Sequence, residues 1–158
     1  RVFFGKREIF RESSRSVLEL LADEERLKLQ DAKSYFYFAS EVELIKRNLL
    51  NLLNGLKTEN KKIVGYGAPA KGNTLLNYCQ IGPETLDYVI DTTPSKQNLF
   101  TPGMHIPVYP PEKLKEGGVD YTLLLAWNYA NEIFRKEENL RKKGVKFIVP
   151  IPVPKIVS

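Results

Sequence analysis

The sequence holds a single cysteine, Cys79, and a single histidine, His105. One cysteine excludes an internal disulfide, and together the two residues cannot supply the four nitrogen and sulfur ligands of a structural zinc site. We therefore expect no metal site in this chain. No nucleophile–base pair is evident either, because the nearest candidate serines, around Ser13, lie in a helical pattern far from His105. We assign no catalytic residue.

The chain also lacks long apolar segments. No run approaches the roughly 18 apolar residues of a membrane-spanning helix, and no secretory signal pattern opens the chain. The net charge is +5, but stretches such as Arg135–Lys143 mix acids with bases, and no basic stretch is interleaved with aromatic residues. We expect a cytoplasmic protein that binds neither membranes nor nucleic acid.

What is present indicates a globular protein: 42% of the residues are hydrophobic and 27% are charged. A helical pattern begins at Glu12, and a second helix is expected from about Asp31, a suitable N-cap, to Leu56, with Gly55 as a possible stop. Apolar residues recur in it every three or four positions. They predict one buried stripe: Tyr35, Phe38, Val42, Ile45, Leu49, Leu52 and Leu56.

After Lys61, short apolar runs alternate with helical patterns, which is typical of β-α-β units. Five strands are predicted, at Lys62–Gly65, Leu86–Ile90, Met104–Tyr109, Tyr121–Ala126 and Lys146–Val149. Helices are predicted at Lys71–Cys79 and Ala130–Lys143, with a short one at Pro111–Lys115, and the prolines of 150–154 should end the sheet. The expected fold is a Rossmann-like, doubly wound α/β domain, residues 57–158, with a mostly parallel five-stranded sheet. A helical arm, residues 1–56, precedes it and packs with it as one unit.

The glycine-rich loop Gly65–Asn73 is the most informative segment. Gly65, Gly67 and Ala70 fit the G-x-G-x-x-[G/A] spacing between a strand and a helix, where backbone amides bind phosphate. Gly65 allows a tight turn, and Gly67 allows close approach of the backbone. The loop also holds Tyr66 and Ala68. Lys71 and Gly72 depart from the dinucleotide pattern by adding a cation and a second flexible point. The alternative is a close-packed turn without a ligand.

Asp91 ends the second predicted strand, about 20 residues beyond the loop, where dinucleotide folds place a carboxylate for ribose hydroxyls. It could equally begin the turn that leads to Pro94. Lys96 and Gln97 follow on the same loop and could reach the crevice at the carboxyl ends of the strands.

Trp127 and Asn128 come directly after the fourth strand, where crevice residues belong. Trp127 could stack on a base or a sugar, or it could cap the sheet core. His105 is a possible ligand contact, although a lone histidine at such a position is more often structural.

Five ordered blocks of the sequence resemble the C-terminal domain of sugar C-methyltransferases. The resemblance covers nearly the whole chain and is strongest from Tyr35 onward. The blocks are Gly65–Asn77, Asp91–Gln97, Pro102–Pro107, Trp127–Asn128 with Glu132–Ile133, and Lys146–Pro152.

The resemblance implies a three-part enzyme that methylates nucleotide-linked deoxysugars. In such enzymes a cysteine-rich zinc domain and a central S-adenosylmethionine domain precede this one. It implies that this chain contributes to a sugar-nucleotide cleft, holds neither cofactor, and needs an upstream methyl-donor domain in the same or a separate chain. Alone it would not catalyse the reaction. The expected ligand-binding residues are Gly65, Tyr66, Gly67, Ala68, Lys71, Gly72, Asn73, Asp91, Lys96, Gln97, His105, Trp127 and Asn128.

Two other functions stay open at this point. An NAD-type oxidoreductase domain would account for the glycine spacing and for Asp91, although Lys71 and the lack of a hydride-transfer acid disfavour it. A non-catalytic interaction module would use the helical arm to bind a partner, with the glycine loop serving only the fold.

Overall fold

A computed structural model describes residues 3–9 and 12–158. The predicted helical arm, residues 1–56, therefore falls partly outside the described residues. The contacts divide the chain into two compact units, Arg1–Glu43 and Leu44–Ser158. By its contacts, the part of the predicted arm beyond Glu43 belongs to the second unit. A domain boundary between residues 56 and 57 stays a prediction.

The first unit contains helix α1, Arg15–Arg26, and the beginning of helix α2, Ala32–Thr58. The Asp31 carboxylate accepts a hydrogen bond from the Lys33 amide at 2.9 Å, which confirms Asp31 as the cap of α2. None of the residues of α1 is buried. Every helix in the part of the chain that the structure describes is too short or too polar to span a lipid bilayer.

The stripe predicted along α2 is buried only in its second half. Leu49 and Leu56 belong to the core, whereas Tyr35 and Phe38 are 57% and 67% exposed, so the prediction was wrong for these two aromatic residues. The periodicity is helical throughout, but only the second half of α2 lies in the unit that carries the sheet. Gly55 does not end the helix, which continues to Thr58.

The second unit is built on a sheet of six strands in the order β3-β2-β1-β4-β5-β6. The first five strands pair in parallel, and β6 pairs antiparallel with β5. This confirms a mixed α/β fold with a mostly parallel sheet. The strands are β1 Ile63–Tyr66, β2 Val89–Ile90, β3 Val108–Tyr109, β4 Tyr121–Leu124, β5 Lys146–Val149 and β6 Lys155–Val157.

The prediction of five strands was wrong, because β6 follows the proline-rich segment. The prolines do end β5, but the chain bends at residues 151–153 and then returns beside the same strand. Lys155–Val157 contains no proline, so its amides are free to donate to β5. Ile156 pairs with Ile148 in this antiparallel ladder.

Helices cover both faces of the sheet. Helix α3, Ala70–Cys79, follows β1, while α4, Ala130–Lys136, and α5, Glu138–Lys142, follow β4. The single helix predicted over Ala130–Lys143 is interrupted at Glu137, which has φ −101° and ψ 26°. Glu137 accepts a hydrogen bond from the Tyr66 hydroxyl at 2.6 Å, which connects the interrupted segment to β1. The short helix predicted after Tyr109 is a 3-10 helix, Pro111–Glu116.

Successive residues of β4 pack into two different hydrophobic clusters, one on each face of the sheet. Leu123 packs in the cluster that contains α3 and the second half of α2, and Leu124 packs in the cluster that contains α4. Because successive side chains of a strand point to opposite faces, a strand covered on both sides must be apolar throughout. This explains the uninterrupted apolar run that predicted β4.

Candidate functional site

The candidate site lies at the carboxyl ends of β1 and β4. These strands are neighbours, and Tyr66 pairs with Leu124 at their last residues. From β1 the chain continues into α3, and from β4 it continues into a 3-10 helix, Trp127–Tyr129. The two connections leave in opposite directions along the sheet, which creates a crevice at a topological switch point.

The glycines of the loop serve close packing more than flexibility. Gly67 has a left-handed φ of 83° and lies in the turn, as expected. Gly65, however, lies inside β1, where a Cβ atom would come within 2.7 Å of Val89 Cγ2. Gly72 is not the second flexible point that was predicted. It is buried inside α3, and a Cβ atom there would come within 2.7 Å of Leu125 Cβ.

Several amides of the loop are already satisfied by the protein, including those of Gly67 and Ala68. The Gly67 amide donates to the Ile90 carbonyl at 2.7 Å, and the Ala68 amide donates to Asp91 Oδ2 at 2.6 Å. Lys96 Nζ donates to the Ala68 carbonyl at 2.9 Å and lies 3.6 Å from Asp91 Oδ2. We call these three residues, Ala68, Asp91 and Lys96, the Asp91 clasp.

Asp91 is 9% exposed and ionised in this clasp. Burial by itself would raise the pKa of the carboxyl, but hydrogen bonds from Thr93 and Ala68 and the charge of Lys96 outweigh it and lower the pKa. The Thr93 amide donates to Asp91 Oδ1 at 2.8 Å, which is the turn geometry that the sequence allowed. Gln97 lies beside it, with its side-chain amide donating to the Asp91 carbonyl at 2.9 Å.

The N-terminus of α3 has no side-chain cap. Its N-cap is Pro69, which makes no capping hydrogen bond, so the first amides of the helix have no partner from a cap. Lys71 Nζ lies 4.5 Å from the centre of the Trp127 ring and donates to Asn128 Oδ1. The structure thus brings together Lys71, Trp127 and Asn128, which the sequence predicted as site residues from separate segments.

A cavity of about 250 Å³ opens beside the carboxyl ends of β1 and β2 on the α4 side; we call it the Tyr129 cavity. Several of its lining residues were missed as site residues: Thr92, Pro111, Tyr129 and Lys136. Their only sequence signal is position: Thr92 and Pro111 come shortly after strands, Tyr129 is the N-cap of α4 and Lys136 is its last residue. Glu132 and Ile133, noticed only as part of the resemblance, line it too.

Tyr66 also lines the Tyr129 cavity, and it stays neutral. Burial, and secondarily its hydrogen bond to Glu137 and the charge of that carboxylate, raise the pKa of the Tyr66 hydroxyl far above its usual range. The hydroxyl donates to Glu137 Oε1. Tyr66 therefore serves the cavity as a neutral wall and not as a proton acceptor.

A second cavity, of about 220 Å³, lies beside the first turn of α3, and we call it the Phe100 cavity. Asn73, Lys96 and Phe100 are among its lining residues, and no motif in the sequence indicated Phe100. His105 lines neither of the two cavities. It is exposed on the turn that follows Gly103, with a left-handed φ of 53°. Among residues 3–9 and 12–158, no group of three His, Cys, Asp or Glu side chains could hold a metal ion.

Comparison with known proteins places the chain in a family. The chain is 39% identical over 143 residues to the C-methyltransferase NovU of Streptomyces niveus, which corresponds to 90% of this chain and 34% of that protein. The chain thus spans about a third of the length of this relative. A solved structure, the UDP-D-quinovosamine 4-dehydrogenase of Vibrio fischeri, matches 62% of this chain and 93% of its own chain. The sequence identity is 24% and the TM-score is 0.45, so this similarity is too weak to support a conclusion about fold or function. The profile of the C-methyltransferase C-terminal domain matches residues 1–152, and the chain belongs to that family.

Proposed function

We propose that this Rossmann-like domain is the sugar-nucleotide side of an S-adenosylmethionine-dependent C-methyltransferase that acts on nucleotide-linked deoxysugars. The observation that carries the proposal is the convergence of Lys71, Trp127 and Asn128 at the uncapped N-terminus of α3. Family membership supports the reaction class. The proposed binding site rests on contacts within this chain.

We expect the N-terminus of α3, with Lys71 beside it, to bind the phosphates of the ligand. Amides at a helix N-terminus carry a partial positive charge and lack partners, so they bind anionic oxygen atoms. A lysine in the same turn is unfavourable with the helix dipole unless an anion lies beside it. Lys71 is held in place by the Trp127 ring and by Asn128, which keeps its ammonium group at the mouth of the crevice.

The hydroxyl groups of the sugar would be received by the Tyr129 cavity. Glu132, Thr92 and Lys136 line it together with the ring of Tyr129. Carboxylate and hydroxyl oxygen atoms accept hydrogen bonds from sugar hydroxyls, and an exposed aromatic ring offers them an apolar wall. We include these residues in the proposed site on this ground.

The methyl donor and the zinc ion do not fit the residues of this chain. The carboxylate at the end of β2 that could bind the ribose of S-adenosylmethionine or NAD is Asp91, which is 9% exposed and already accepts hydrogen bonds from the Ala68 and Thr93 amides, so a ribose would have to compete with these contacts. One buried cysteine, Cys79, and one histidine do not make a zinc ligand set. We propose that both groups belong to upstream domains, in the same or a separate chain, and that this chain has no turnover alone.

The helical arm is the surface that we propose for contact with the S-adenosylmethionine domain. Large apolar side chains on it are exposed, among them Leu18, Leu21, Phe36 and Phe38. Apolar clusters on a helix surface mark interaction sites. The single reduced cysteine is compatible with the cytoplasm as the place where this complex works.

Calorimetric titration of the purified chain tests the ligand class. We expect a thymidine diphosphate sugar to bind, and we expect no heat of binding with S-adenosylmethionine or NAD at the same concentrations. Preferential binding of NAD would favour the oxidoreductase alternative, and preferential binding of S-adenosylmethionine would refute the proposed division of roles. If no nucleotide binds, the interaction module becomes the better explanation.

Replacing Lys71 by alanine should weaken binding of the thymidine diphosphate sugar about tenfold or more, because one charge-assisted contact to phosphate contributes ~1.5–3 kcal/mol. The calorimetric dissociation constant measures the change. Lys155→Ala is the matched control, since Lys155 lies on β6 at the far edge of the sheet. Equal affinity of the Lys71→Ala variant and the control would mean that Lys71 does not contact the ligand.

A further inference from the structure

The Phe100 cavity has an apolar wall that is exposed yet rigidly held. Leu99 and Phe100 are 56% and 64% exposed. Their backbone is fixed by hydrogen bonds from the Val108 amide to the Leu99 carbonyl and from the Thr101 amide to the Ile106 carbonyl, both at 2.9 Å. Phe100 also forms an antiparallel bridge with Pro107. An exposed aromatic ring on a backbone fixed in this way suits stacking on a planar ligand, because little backbone freedom is lost on binding.

The residues that line the Phe100 cavity include one with an unsatisfied polar group. Asn73, in the first turn of α3, lines the cavity, and its Oδ1 atom is buried without a hydrogen-bond partner among the described residues. Buried polar atoms of folded proteins are nearly always paired, so an orphaned amide oxygen needs a donor. Rotation of the side chain toward the cavity that it lines would supply one from a bound N–H group.

The cavity also adjoins the proposed phosphate site. Ala68 and Lys96 of the Asp91 clasp line it, and Asn73 is two residues from Lys71 on α3. A ligand with its phosphates at the N-terminus of α3 can therefore extend into the cavity without crossing the sheet.

We propose that the Phe100 cavity receives the planar base of the nucleotide-linked sugar, stacked on the Phe100 ring and hydrogen-bonded through an N–H group to Asn73. This inference rests on the proposed function and adds to it where the base lies. The amide of asparagine both accepts and donates, so it complements heterocycles that present an N–H beside a carbonyl, as thymine and uracil do.

The test compares thymidine diphosphate with inorganic pyrophosphate, which has no base, by calorimetric titration of the full chain. We expect thymidine diphosphate to bind at least about tenfold more tightly, since stacking of one base on an aromatic side chain contributes on this scale. Phe100→Ala should remove most of this difference and leave pyrophosphate binding unchanged. Phe100→Tyr should preserve it. Phe4→Ala, which alters another exposed phenylalanine that is not among the residues lining the cavity, should change neither affinity.

Each other outcome overturns a different statement. Equal binding of the two ligands by the unmodified chain would refute the base site and leave the phosphate site standing. A preference for thymidine diphosphate that survives in Phe100→Ala would place the base elsewhere and refute the inference. Failure of both ligands to bind would refute the proposed function, and the inference with it.

Asn73→Leu separates the hydrogen bond from a structural role. Removing a buried acceptor without a partner should raise the midpoint of thermal unfolding of the free chain by a few degrees, while affinity for thymidine diphosphate falls about five- to tenfold. Thermal unfolding followed by circular dichroism and calorimetric titration measure the two effects. A lowered midpoint would mean that Asn73 stabilises the fold, and an unchanged affinity would mean that it does not contact the base; either result contradicts the assignment.

Discussion

Replacing Gly72 by alanine should lower the free energy of unfolding by about 1–3 kcal/mol, the usual cost of overpacking a core. The added Cβ atom would lie 2.7 Å from Leu125 Cβ and 3.2 Å from the Leu125 carbonyl oxygen. Both are atoms of or next to the backbone, so no side-chain rotation can relieve the contact, and α3 must move away from β4. Urea unfolding followed by circular dichroism measures the loss. Because the proposed anion site lies at the N-terminus of α3, affinity for the sugar nucleotide should fall as well.

Gly55→Ala provides a matched control within another helix. Gly55 lies inside α2, and no heavy atom lies within 4 Å of the position that its Cβ would take. The same change should therefore stabilise the protein by about 0.5–1 kcal/mol, through the higher helix propensity of alanine. If Gly72→Ala were as well tolerated as Gly55→Ala, close packing of α3 against β4 would not be the reason that position 72 requires glycine.

Replacing Asp91 by alanine should lower the free energy of unfolding at neutral pH by about 1–3 kcal/mol. The buried Ala68 amide and the Thr93 amide would lose their acceptor, and Lys96 would lose its ion pair. Denaturant unfolding at pH 7 measures the change. A loss of ligand affinity without a loss of stability would instead support the ribose-binding role that the sequence also allowed.

The pH dependence of stability provides an independent test of the Asp91 clasp. The folded protein lowers the pKa of Asp91 from its unperturbed value of 3.8. The stabilisation is therefore fully present above about pH 4 and is lost as the pH falls through the lower folded value. Other carboxylates titrate in the same window, so the informative quantity is the difference between the unmodified chain and Asp91→Asn. That difference should shrink in acid, and a constant difference would contradict an ionised clasp.

The sequence predicted the parts of the fold that depend on local pattern. The apolar run Tyr121–Ala126 predicted a buried strand, and the structure has β4 there. The order of apolar residues, glycines and helical pattern around Gly67 predicted a strand followed by a helix, and the structure has β1 and α3 there. Long-range contacts account for the errors. At the helix break, Glu137 accepts a hydrogen bond from Tyr66, 71 residues away in the chain, and no local pattern indicates this contact. Pairing of β6 with β5 depends on where the chain returns after its prolines.

The site could be predicted only in part for the same reason. Lys71, Trp127 and Asn128 follow strands that the sequence identified, so the general rule for parallel sheets placed them at one edge. The two cavities have walls from several connections, and no single segment carries a motif for Tyr129 or Phe100. Asp91 and the turn with Thr93 were foreseen, but the hydrogen bond from the Ala68 amide was not, because the sequence does not show which distant amide a carboxylate reaches.

The position of Trp127 has a practical consequence. It is the single tryptophan of the chain, and its ring lies against the Lys71 ammonium group at the mouth of the crevice. The emission of an indole responds to nearby charge and to exposure to water. An anion that draws Lys71 away from the ring should therefore alter the intrinsic fluorescence of the unlabelled protein. Fluorescence excited at the indole band thus reports occupancy of this one place, without interference from a second tryptophan.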